Sequence, residues 1–100
     1  MVKMYKHQEL FLNTTQEYTR QINQLLDMAK GADREQIKRL SSVLDKLKSS
    51  LQKLTGESEK FKRYINNPVK YRAMLKPYIK LLDETKAEIE KLGVKYESKH

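Results

Sequence analysis

The sequence contains no cysteine and no tryptophan, and only three glycines and two prolines among its 100 residues. Without cysteine there can be no disulfide, no thiolate metal site and no cysteine nucleophile. The glycines stand apart at 31, 56 and 93, so none belongs to a glycine-rich phosphate loop. Histidine is confined to His7 and His100, at opposite ends of the chain, with no nucleophile or carboxylate at a spacing that builds a triad. Both are expected at the surface. Glu84 and Glu88 share a helix face, but the Glu-x-x-His pairs of a helical di-iron site do not occur. Lys80 with Glu84 and Lys86 with Glu90 read instead as i,i+4 solvent pairs. No enzyme, metal or cofactor is expected. There is no run of about 18 apolar residues, the length a membrane-spanning helix needs, and no apolar stretch of signal-peptide type follows Met1. A soluble, cytoplasmic protein is therefore expected, with export by a route that reads no amino-terminal signal as the alternative.

Strand formers are also scarce. The two phenylalanines and the few valines and isoleucines form no alternating run. With 38% hydrophobic and 34% charged residues, the composition approaches that of long helices and coiled coils. The spacing predicts an all-α chain, an elongated antiparallel three-helix bundle or coiled coil with helices over about 2–30, 33–65 and 68–92. It would form a single domain over 1–93 with a flexible tail over 94–100.

The second helix is the most regular. Ile37, Leu40, Leu44, Leu47, Leu51, Leu54, Ser58, Phe61 and Ile65 occupy a and d positions over four heptads. Asp33 followed by Gln36 suggests a capping box at its start. Because the heptad phase continues across Gly56, one unbroken helix is expected, with Gly56 a soft point costing roughly 1 kcal/mol against alanine. The first helix has a weaker seam of Met4, Phe11, Tyr18 and Leu25, widened by Leu12, Ile22 and Leu26, and Gly31 is expected to stop it in a left-handed conformation. Asn67 and Pro68 suit the cap and first turn of the third helix. Its seam is Tyr71, Leu75, Tyr78, Leu82, Thr85, Ile89 and Leu92, with Gly93 as terminator and a kink or split expected at Pro77.

A further absence is local. Between Lys60 and Leu82 no acidic residue occurs, while Lys60, Lys62, Arg63, Lys70, Arg72, Lys76 and Lys80 supply seven positive charges of a net +8. Phe61, Tyr64, Tyr71 and Tyr78 are interleaved with them, but three of these are seam positions and only Tyr64 lies off the seam. The aromatic residues thus belong largely to the core, and the cations to the outside of two helices joined at 66–68. Charge so concentrated favours an anionic partner, although charge runs also serve solubility alone. The residues imply a non-catalytic interaction or regulatory protein. Its seven cations would dock on an acidic macromolecule, in the first instance a protein, with Met74, Ile79 and Leu81 as an apolar contact. One alternative is a nucleic-acid-binding accessory protein that touches phosphates without reading sequence. Another is a self-assembling coiled coil, a homo-oligomer formed through the seam of the second helix. Pro77 and the acidic stretch from Asp83 to Glu90 argue against a membrane surface.

Overall fold

The computed structural model describes residues 5–97 and is all-α: among the described residues there are four helices and no strand. They are α1 (Lys6–Ala29), α2 (Arg34–Gly56), α3 (Ser58–Arg63) and α4 (Pro68–Glu97). α1 packs on α2 and α4, α2 packs on α4, and the whole measures 51 × 23 × 21 Å. No helix of the described residues is long and apolar enough to cross a membrane.

The helix starts follow local chemistry. The Asp33 carboxylate accepts from the Gln36 amide at 2.9 Å, while the Gln36 side chain accepts from the Asp33 amide at 3.1 Å. This reciprocal box satisfies two backbone donors that have no partner within the helix. The Asn67 side chain likewise accepts from the Lys70 amide at 3.2 Å ahead of α4. At the start of α1 the Gln8 side chain folds back to accept from the Tyr5 amide at 3.0 Å.

Several sequence expectations are corrected. The stretch 33–65 is not one helix: α2 stops at Gly56, and Glu57, at φ −95° and ψ 9°, separates it from the six-residue α3. Glycine weakens the helix there, and the Tyr78 hydroxyl holds the Glu57 carboxylate at 2.8 Å. The heptad phase nevertheless survives, since Leu47, Leu54 and Phe61, seven residues apart, are each at most 1% exposed. Gly31 is not left-handed, for no described glycine has a positive φ. Gly93 does not end α4, which runs on to Glu97, because a glycine permits a left-handed stop without enforcing one. The predicted tail residues 98–100 and the helix start over 2–4, with seam residue Met4, lie outside the described residues. Pro77 does not split α4. It sits on the exposed face, where the carbonyl it leaves unbonded, on exposed Ala73, can be met by water.

The core consists of Tyr18, Leu25, Leu40, Val43, Leu47, Leu54, Phe61, Tyr71, Leu75, Tyr78, Leu82 and Ile89. Leu12, Leu26 and Ile37, all assigned to seams by spacing, are instead 45%, 47% and 43% exposed. The true seam of α1 alternates apolar with polar residues: His7, Thr14 and Gln21 are buried beside Tyr18 and Leu25. Each polar group is satisfied. Thr14 donates to the Leu10 carbonyl at 2.6 Å, and the Gln21 amide donates to the Leu82 carbonyl at 3.2 Å. Buried Thr85 donates to the Gln21 side-chain oxygen at 2.5 Å. The Tyr18 hydroxyl donates to the Tyr78 carbonyl at 2.8 Å, so Ser50, 2.7 Å away, must donate to it. These contacts advance in step along α1 and α4, so the two helices run parallel, with α2 antiparallel between them in sequence.

Candidate functional site, the basic end of the molecule

Three segments remote in sequence meet at one end: the start of α1, the segment from α3 through residue 67, and the start of α4. The link is His7, which the sequence places at the surface. It is 4% exposed, and its Nε2 lies 2.6 Å from the Ile65 carbonyl. A carbonyl only accepts, so the ring carries a proton on Nε2 and donates it. The His7 ring also stacks on Tyr5 with centroids 5.2 Å apart and meets Tyr71 edge-on at 4.7 Å. Phe61 continues the cluster, with edge contacts to Tyr71 at 5.0 Å and to Phe11 at 4.9 Å. Edge-to-face rings add packing energy of about 0.5–1.5 kcal/mol per pair beyond area burial. The short α3 is thereby anchored by rings and not by continuity with α2.

Upon this frame all seven predicted cations are exposed. Lys60, Lys62 and Arg63 lie on α3, and Lys70, Arg72, Lys76 and Lys80 on the first half of α4. Arg72, Lys76 and Lys80 follow one another at four-residue intervals along the outer side of α4. The ion pairs closed among the described residues are Arg20–Glu17, Lys30–Asp27, Arg39–Glu35 and Lys46–Glu88, and none involves the seven. Lys80–Glu84 and Lys86–Glu90, expected as solvent pairs, are not among them either, and Glu88 reaches across to Lys46 at 3.5 Å. Lys70 stands over the Tyr64 ring, 5.6 Å from its centroid, the geometry of a cation–π contact.

The apolar residues expected to help do not form one patch. Met74, Ile79 and Leu81 are all half-buried against the core. At 100° per residue, Ile79 lies about 140–160° around α4 from the other two, where it lines a cleft with Leu10 and Thr14 of α1. The exposed apolar residues at this end are others: Val69, 78% exposed, and Tyr5, 52% exposed. Sequence reasoning also missed exposed Lys6, which α1 brings to the same end. A parallel pairing of the first and last helices would have placed it there, but more than 50 residues separate it from Lys60. Among the described residues no group of histidines and carboxylates is arranged to hold a metal ion. No protein-family model, curated protein or solved structure matches this chain.

Proposed function

We propose that this is a non-catalytic binding protein of the cytoplasm that docks its basic end on an acidic protein. The observation that carries this reading is seven exposed cations, none neutralised by an ion pair, fixed on a ring-packed scaffold. The rest of the chain has 14 basic and 13 acidic residues, so its charge is nearly balanced and the excess belongs to this end. Such a field steers an anionic surface toward the site and sets its orientation. A protein is favoured over nucleic acid by Val69, the most exposed large apolar side chain of the described residues, which shares a face of α4 with Arg72 and Lys76, three and seven residues on. Phosphates have no use for an aliphatic contact, whereas protein interfaces combine apolar centres with charged rims. In architecture we read α1, α2 continued by α3, and α4 as the three rods of an up-down-up bundle. Their seams face one another inside a single chain.

The deciding experiment is affinity capture from native lysate with and without nuclease, using the wild type and the triple variant Arg72→Glu, Lys76→Glu, Lys80→Glu. A protein partner is captured by the wild type after nuclease treatment, and the variant, still helical by circular dichroism, loses it at least tenfold. Undiminished capture by the variant would overturn the proposal. Nucleic acid recovered at low salt and lost at high salt would replace it with the phosphate-binding reading.

A further inference from the structure

On the side of α1 and α2 turned away from α4 lies a surface unlike the rest of this highly charged chain. Leu12, Thr19 and Leu26 follow one another every seven residues on α1, as do Ile37, Leu44 and Leu51 on α2. Leu26 is about 140° around α1 from Gln21, which contacts α4, and Ile37 is about 180° around α2 from Lys46, which pairs with α4. Both stripes therefore border the α1–α2 groove on its outer side. Leu12, Leu26 and Ile37 are nearly half exposed, and Leu44 and Leu51 are partly exposed. Around them on α1 stand uncharged Gln8, Thr15 and Asn23, with Lys30 one turn past Leu26 at the helix end, and on α2 the stripe from Ile37 to Leu51 is broken by one charge, Lys48.

The pattern is also its own complement. Leu26 and Ile37 stand three residues from the facing ends of α1 and α2, Thr19 and Leu44 ten, and Leu12 and Leu51 seventeen. The groove thus carries three levels, with aliphatic pairs at top and bottom and Thr19 with Leu44 in the middle. A two-fold axis across the middle level lays Leu12 on Leu26 of a second copy and Ile37 on Leu51. That is the self-matching an isologous interface requires. Lys48 then faces the level of Leu40, next to Ser41, and not another cation.

We infer that this face is the interface of an antiparallel homodimer. Antiparallel packing is selected by charge, because it sends the two basic ends to opposite poles, whereas parallel packing would set them side by side. The face runs along α1 and α2, 24 and 23 residues long, about 35 Å at a rise of ~1.5 Å per residue. Two helices about 10 Å wide side by side then offer about 700 Å² per partner, close to the ~800 Å² of a standard interface. The interface is separate from the cations of α4, so it holds or fails independently of the proposed partner.

Sedimentation equilibrium across micromolar to submillimolar concentrations, at physiological salt, tests the inference. The wild type and the Arg72→Glu, Lys76→Glu, Lys80→Glu variant both reach twice the monomer mass. Thr19→Arg, at an exposed position outside the core, weakens association at least tenfold with helicity unchanged, and Leu26→Lys does the same. A monomer at every concentration, or dimers undiminished in both variants, would overturn it. The cysteine-free background allows a test of direction. Under oxidation Thr19→Cys, close to the axis, cross-links to its own copy at least tenfold faster than Leu12→Cys, and equal rates would overturn the antiparallel arrangement.

Discussion

Tyr78 is bonded at both ends, its hydroxyl to the Glu57 carboxylate and its carbonyl to the Tyr18 hydroxyl. Burial and the facing carboxylate both disfavour a phenolate, so Tyr78 titrates far above the ordinary tyrosine value of 10.0. Burial raises Tyr71 as well, and also Tyr18, where the bond from Ser50 opposes the rise. The unfolded chain sheds these protons near pH 10 while the folded chain keeps them. Stability is therefore full below about pH 10 and falls as pH climbs above it. Thermal melts should hold level from neutrality to about pH 9 and drop beyond about pH 10. Tyr78→Phe should drop less steeply, and an equal slope in both would assign the alkaline loss to another group. Gln21 and Thr85 make a second buried pair. Thr85→Val leaves the Gln21 oxygen without a donor, at a cost of about 1–3 kcal/mol. Urea unfolding measures it, and a cost near zero would mean that water replaces the hydroxyl.

Helices differ in how firmly their limits are written. Leu47 and Leu54 are fully buried, so truncation of either to alanine should cost about 2–5 kcal/mol. Ile37→Ala, half exposed on the same heptad pattern, should cost well under half of that in the dilute monomer, and comparable losses would place Ile37 in the core. Gly56 and Gly93 lie in helical backbone with negative φ, and a Cβ on either meets nothing within 4 Å. Each Gly→Ala change should then stabilise by about 0.5–1 kcal/mol, raising the urea midpoint. The Asp33 and Asn67 starts were legible because a cap is written in adjacent residues. The polar seam of α1 was not. The Gln21 amide and the neighbouring Tyr18 hydroxyl bond carbonyls at Leu82 and Tyr78, some 60 residues onward, so nothing near Gln21 in the chain marks it as buried. Spacing also could not tell Ile37 from Leu40, since an a/d pattern shows which residues share a stripe but not which helix covers it. At the candidate site the seven cations could be read directly. His7, Lys6 and Val69 could not, for their positions depend on which helix ends meet.

For the molecule as a whole, charge is unevenly distributed and every buried side-chain polar atom of the described residues is paired. If the basic end binds through its field, capture of the partner must weaken steadily with added salt. Surface plasmon resonance from about 50 to 500 mM salt, ionic strengths that shorten the screening length to a few Å, should show association slowing more than dissociation. A salt-independent rate would remove the electrostatic reading. The bonds from α1 to α4 also bear on how the chain folds during synthesis. Tyr18 and Gln21 point at carbonyls that leave the ribosome some 60 residues after them. A hairpin of α1 and α2 alone would leave the Gln21 amide without its carbonyl and Tyr18 with Ser50 as its one partner, so a chain ending at residue 67 should show little cooperative melting. Contacts of such long sequence separation form late and slow the rate. Folding thus waits for α4, the helix that also carries four of the seven cations of the basic end, so the charged surface and the finished core arrive together.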